Sequence, residues 1–314
     1  MTGIEARAIK VGIATPSTAL APDTPPLERM AVLDRVADAG LDHVGLGDHV
    51  SFFVGVGFDA LIQAASLLAL HPTLEVYTAV YLLPLRHPVV VARQLATISQ
   101  MAPGRLVFGV GVGGEDPHEV EVCGVDPRTR GRRMNESLEI LRGLATGEPV
   151  TFSGDHFELH EALIVPAPEP RVPIVIGGRS TAAVRRAARY GDGWIGIWVS
   201  PRRFASVVDE IDQLAAANDR GEVEWEHAMY VWCGFDDDET AATERLTRAM
   251  EGFYRIPFSN FAKYSPAGSP ERVAEFLAPY VDAGCRRFHL SAVAGSDEEL
   301  IGAAGEVKRL LAAG

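Results

Sequence analysis

Eight short apolar runs, each separated from the next by a helical stretch, predict a single (β/α)8 TIM barrel over residues 1–314. Two observations carry this. The alternation persists along the chain, which implies parallel strands with right-handed crossovers. Eight such units within 314 residues suit a barrel better than the competing open doubly wound sheet. No clean domain boundary and no short internal repeat breaks the series.

In order, strands are expected at Lys10–Thr15, His43–Gly47, Leu74–Leu82, Arg105–Val112, Val172–Ile176, Gly193–Val199, Ala228–Gly234 and Arg286–Ser291. Their β-branched and apolar content suits strands buried on both faces. Helices are expected at Pro26–Ala39, Asp59–Leu70, Pro88–Ser99, Gly131–Thr146, Thr181–Tyr190, Pro201–Ala217, Asp238–Glu251, Pro270–Ala283 and Asp297–Ala313. Gly40 closes the first of these, and a loop with Asp116-Pro117 and Asp126-Pro127 precedes the helix at Gly131. Two insertions stand out. Val150-Thr-Phe and Phe157-Glu-Leu read as a β-hairpin turning at Ser153-Gly154-Asp155, with a proline-rich exit from Pro166 to Pro170. The segment Phe253–Ser269 forms a long insertion before the last helix–strand unit.

Bulk composition narrows the function. The formal net charge is −13, which disfavours nucleic acid or an anionic membrane as a partner. Cys123, Cys233 and Cys285 are scattered and odd in number, so they form no complete disulfide framework and no metal-ligand cluster. No signal peptide or membrane-length apolar run is evident. A soluble cytoplasmic protein acting on a small molecule, without a metal, is the expectation.

A barrel places its active site at the carboxyl ends of the strands. There the fifth strand runs into Gly177-Gly178-Arg179-Ser180 and then a helix. Glycines admit a phosphate close to the backbone, the helix start offers N–H donors, and Arg179 adds positive charge. The plainer reading is a strand-to-helix turn with a serine cap. The second strand ends in Asp48-His49. A histidine there can exchange a proton near neutral pH, while Asp48 orients backbone or caps the next segment. The fourth strand leads to Gly113, Gly114 and Glu115, an acid or a ligand for a hydroxyl. Its glycines, Gly109 and Gly111 among them, suggest a flat ligand lying close to the backbone. Phe53, Tyr81 and Trp198 frame an aromatic mouth, and Arg255 and Lys263 are the positive charges of the long insertion.

Seven segments in order resemble the bacterial luciferase-like monooxygenase superfamily, most closely its branch that uses the deazaflavin coenzyme F420. They are Gly45-Leu-Gly-Asp-His-Val50, Thr78-Ala-Val-Tyr-Leu-Leu-Pro-Leu-Arg-His-Pro88, Ala92-Arg-Gln-Leu-Ala-Thr97 and Pro103-Gly-Arg-Leu-Val-Phe-Gly-Val-Gly111. The others are Gly131-Arg-Arg-Met-Asn-Glu-Ser-Leu-Glu-Ile-Leu141, Pro173-Ile-Val-Ile-Gly-Gly-Arg-Ser180 and Ala187-Ala-Arg-Tyr-Gly-Asp-Gly-Trp194. The resemblance implies a TIM barrel with a cofactor ring in its mouth. It implies a non-proline cis peptide at Ala79–Val80 behind that ring, and a cofactor phosphate on Gly177, Gly178, Arg179 and Ser180. Asp48, Gly113 and Gly114 fall in the same cofactor site. His49 matches the histidine that takes the substrate hydroxyl proton in F420-dependent dehydrogenases, and Glu115 an acid near the ring. The chain departs from those dehydrogenases at Phe53, where they carry tryptophan, and in the Gly113-Gly114 pair, which shifts the register before Glu115.

The first reading is therefore an F420-dependent oxidoreductase moving a hydride to or from a small organic substrate. The alternatives are an FMN-dependent two-component monooxygenase, served by a separate reductase, and a non-catalytic flavin-binding relative. The resemblance also implies a homodimer.

Overall fold

The computed structural model describes residues 8–313 except Val56 and Glu115. The fold is a (β/α)8 barrel. Its eight strands are β1 (Lys10–Ala14), β2 (His43–Leu46), β3 (Glu75–Thr78), β4 (Leu106–Gly111), β5 (Ile174–Gly177), β6 (Gly193–Ile197), β7 (Ala228–Phe235) and β8 (Arg287–Val293). Each lies within the expected runs or within two residues of their ends.

The chain clusters into two compact units. The first comprises residues 1–45, 195–213 and 225–314. In it β7 lies between β6 and β8, β8 pairs β1, and β1 pairs β2, all parallel. Val11, Ile13, Phe288 and Leu290 lose all contact with solvent. The same unit buries His43, Arg287 and His289.

The second unit comprises residues 46–194 and 214–224. Here β4 lies between β3 and β5, in parallel register Val76↔Leu106 and Phe108↔Ile174. All six residues of β4 are buried. Asp192 ties down the start of β5. Its carboxylate accepts from the Ile174 N–H at 2.8 Å and from Arg171 and Arg142. Two helices of this unit begin where a short polar side chain accepts their first N–H groups. Asp59 caps Ala60–Leu70 and Ser180 caps Thr181–Tyr190, each relieving donors that a helix start leaves unpaired.

The expected third strand, Leu74–Leu82, is interrupted. It stops at Thr78, the Ala79–Val80 peptide is cis, and Tyr81–Leu82 resumes alongside β4. The expected loop after β4 contains a short helix, Pro117–Val122, started by the Asp116 side chain. The hairpin forms as expected, Val150–Ser153 against antiparallel Glu158–Ala162. Its turn is held by Glu136, whose carboxylate accepts from the N–H groups of Asp155, His156 and Phe157. The long insertion is partly ordered into two 3-10 turns, Phe258–Asn260 and Ala262–Tyr264, after a helix that runs on to Tyr254. Among the described residues no helix is long and apolar enough to cross a membrane.

Candidate active site

His49 leaves β2 in a segment fixed by its neighbour. The Asp48 side chain is buried, and its two oxygens accept from Arg86 at 2.6 and 2.8 Å, from the Leu82 N–H and from the Ala60 N–H. Burial pushes the Asp48 carboxyl up, against the pull of Arg86 and the two backbone donors. Burial works equally against the Arg86 charge, but Asp48 holds that guanidinium protonated. Asp48 therefore ties the His49 loop to the segment after the cis peptide and to the start of the helix Ala60–Leu70. A buried, fully engaged carboxylate of this kind positions backbone.

The His49 ring stacks on Phe52, with centroids 3.9 Å apart. Its Nδ1 lies 3.2 Å from Oε2 of Glu119, a carboxylate with 4% of its side chain exposed. The other oxygen of Glu119 accepts from the Val50 N–H at 2.6 Å and the Ser51 N–H at 3.3 Å. A carboxylate engaged as an acceptor on both oxygens selects the imidazole tautomer with its proton on Nδ1. That leaves Nε2 as the basic atom.

Sequence reasoning looked to Glu115 for an acid; that residue lies outside the described residues. It missed Glu119. The usable signal was Asp116-Pro117-His118-Glu119, a cap, a helix-starting proline and an acid in the first turn. Only the packing of this short helix under the His49 loop turns that signal into a partner for histidine.

The glycines of β4 need a corrected explanation. A Cβ on Gly109 would overlap the Thr78 carbonyl, and one on Gly111 would run into the Val80 side chain. Thr78 Oγ1 also donates to the Gly109 carbonyl at 2.7 Å. These glycines make room for the chain's own interrupted third strand; a flat ligand is not needed to account for them. Beyond them, Gly113 is half-buried and Gly114 is exposed.

The turn after β5 is shaped by Gly178 and capped by Ser180. Gly178 has φ +124°, and a side chain there would lie 3.0 Å from the Ala183 Cβ, so the position calls for glycine. Its carbonyl accepts from the buried Trp194 indole at 2.8 Å, which holds the turn in place. The Ser180 oxygen accepts from the Ala183 N–H at 3.2 Å, leaving its own hydroxyl hydrogen to donate outward. Thr181 and Ala182 carry first-turn N–H groups that have no intrahelical acceptor. Gly177 is half-buried, and Arg179 is exposed beside it.

The aromatic residues divide. Phe53 packs on Phe52, with centroids 4.3 Å apart, next to His49. Tyr81 is fully buried, its ring against Phe108 and under the Arg86 guanidinium at 4.5 Å. Trp198 belongs to the other unit. There it adopts φ +51° and packs on Phe261 at 4.5 Å and Tyr254 at 5.0 Å. Trp232 donates to the Tyr254 hydroxyl in the same cluster. Of the two charges in the long insertion, Lys263 lies over the Tyr264 ring, and Arg255 ends its helix in the left-handed region at φ +53°.

Fold and site together define a (β/α)8 barrel protein with a carboxylate-held histidine and a serine-capped helix start, each following the carboxyl end of a strand. The chain belongs to the luciferase-like monooxygenase family, whose model matches residues 9–266. An uncharacterized protein of Mycobacterium tuberculosis (strain ATCC 25618 / H37Rv) is 32% identical over 233 residues, covering 72% of this chain and 77% of that protein. The F420-dependent glucose-6-phosphate dehydrogenase of Kineococcus radiotolerans is 28% identical over 278 residues, covering 80% of this chain and 82% of the relative. An F420-dependent secondary alcohol dehydrogenase, solved in complex with an F420-acetone adduct, superposes with TM-score 0.82. At 23% identity, over 97% of this chain and 99% of that one, this likeness shows the fold.

Proposed function

We propose that this protein is an oxidoreductase that binds coenzyme F420 and exchanges a hydride between it and a small organic substrate. The observation that carries the reading is the His49–Glu119 pair. It supplies the proton acceptor that oxidation of a hydroxyl requires, already in its basic tautomer. When bound, the deazaflavin supplies two-electron hydride chemistry. Its phosphate fits the turn after β5, where Gly178 lets the backbone approach, Ser180 donates a hydroxyl, and Thr181 and Ala182 donate N–H groups. Arg179 would offset the phosphate charge, and Gly113 and Gly114, without side chains, would leave the backbone after β4 open to the cofactor.

The protein's own chemistry is then acid–base. His49 Nε2 takes the proton of the substrate hydroxyl, or returns it in the reverse direction. Glu119 holds the ring in place and stabilises the imidazolium that forms. Asp48 and Arg86 hold the loop that carries His49, and Phe52 and Phe53 give that side of the site an apolar wall. Relatives named for F420-dependent dehydrogenation support this cofactor.

The family's description as luciferase-like monooxygenases supports a second reading, in which FMN, reduced by a separate reductase, occupies the same turn. Titration of the apo-protein with coenzyme F420 and with FMN, followed by fluorescence quenching, separates the two. Saturable quenching by F420 is expected. Tight binding of FMN with none of F420 replaces the first reading by the second. A screen of alcohols, aldehydes and enones with bound cofactor then tests turnover. Cofactor binding with no turnover on any of them points to a non-catalytic relative.

A further inference from the structure

The outer face of the helix Thr181–Tyr190 carries a cavity that the proposed function leaves unused. It has a volume of about 290 Å³ and is lined by Asn135, Ala182, Arg185, Arg186, Arg189 and Tyr190. Of the residues proposed to hold the cofactor phosphate it shares Ala182 alone, which serves there through its backbone N–H. Three arginines at positions i, i+1 and i+4 crowd one helix face, an arrangement that repels itself when uncompensated. The chain as a whole carries a net charge of −13, so an exposed basic cluster runs against the general balance.

The compensation within the protein is thin. Arg189 reaches Glu139 only at 4.0 Å, and Glu139 also accepts from the Tyr190 hydroxyl at 3.2 Å. Arg186 is partly buried between two helices and, among the described residues, donates to neutral oxygens alone, Asn135 Oδ1 at 2.6 Å and the Gly131 carbonyl at 3.0 Å. Burial pulls its pKa down, as expected of a guanidinium without a carboxylate partner. Arg185 forms no hydrogen bond or ion pair among the described residues. Arg186 is half-buried, Arg185 and Arg189 are exposed beside it, and forked donors gathered around one cavity are the geometry that phosphate and carboxylate groups fill bidentately.

We propose that this groove is a binding site for a small molecule bearing two or more clustered oxyanions. Its occupant bridges Arg185, Arg186 and Arg189 and pins the helix Thr181–Tyr190 against the helix Arg130–Leu144. Since only the folded chain presents the three arginines together, ligand also raises the melting temperature.

The test uses the full-length protein at low ionic strength, in separate calorimetric titrations with pyrophosphate and with tricarballylate. Saturable binding that weakens as salt is added is expected. Binding of only one probe identifies the source as phosphate or as polycarboxylate; binding of both assigns the site to clustered oxyanions in general. Arg185→Gln removes a side chain that makes no hydrogen bond or ion pair among the described residues, and it should weaken binding about tenfold. Arg185→Gln with Arg189→Gln should abolish it, while Arg179→Gln leaves it in place. Failure of both probes to bind below several millimolar overturns the proposal. So does binding that survives Arg185→Gln and is lost in Arg179→Gln, because that places the anion in the turn after β5.

Discussion

At the residue scale the informative contact is between His49 and Glu119, which lie seventy positions apart and 3.2 Å from each other. Glu119→Gln keeps an oxygen for the Val50 and Ser51 N–H groups but turns an amide N–H toward Nδ1. The imidazole must then accept there, which moves its proton to Nε2 and removes the base. Turnover on whichever substrate the screen identifies is expected to fall by about 10²–10⁴-fold, with cofactor affinity little changed. Nitrogen NMR of the His49 ring should report the tautomer exchange independently of activity. Unchanged ring shifts would show that Glu119 does not set the tautomer. His49→Ala should lose a comparable amount of activity, and the double variant little more, because the two residues act as a unit. His49 was legible from its place at a strand end. Glu119 was not, since an acid in a helix's first turn is commonplace and only tertiary packing brings it to the ring.

At the scale of the element, the turn after β5 was the most readable part of the chain. An apolar run, two glycines, a serine and an alanine-rich stretch specify a strand, a bend and a capped helix by local rules alone. The structure adds the conformation of Gly178, φ +124°, and its anchor to Trp194. Gly178→Ala forces an L side chain into this region against Ala183. A loss of roughly 1–3 kcal/mol in stability is expected, with a larger proportional loss of cofactor affinity. Thermal melts with and without cofactor would measure both. A variant as stable and as tight-binding as the parent would remove the turn from the proposed phosphate site. The neighbouring β4 teaches the opposite lesson. Its glycines invited a ligand explanation, yet the close approach is made by Thr78 and Val80 of the same chain. Glycine frequency records that something comes near, and the fold decides what.

At the scale of the whole molecule, stability should fall on acidification in a way that its buried histidines explain. Burial holds His227 at about 4 and His289 at about 3, and burial together with Arg287 holds His43 well below its ordinary value of 6.5. These groups stay neutral in the folded protein. In the unfolded chain they take up protons as the pH drops through about 6.5. Folding stability should therefore be full above that value and decline from about pH 6.5 toward pH 4. The slope approaches about 1.4 kcal/mol per pH unit for each histidine involved. Denaturant unfolding at a series of pH values would measure it, and His227→Gln should flatten the curve. A flat profile across that window would contradict neutral burial. By itself the sequence determined the barrel class, the eight strand positions, the hairpin, and the strand, glycine bend and serine-capped helix that follow one another at Gly177–Ser180. All of these follow from local periodicity, turn chemistry and the order of short motifs. Only the tertiary structure decided which carboxylate meets His49, that Asp48 is consumed by Arg86, that Tyr81 is core, and that Asn135 of a distant helix closes a groove beside the three arginines. Those outcomes depend on contacts between residues far apart in the chain, and they come from packing, which no local pattern encodes.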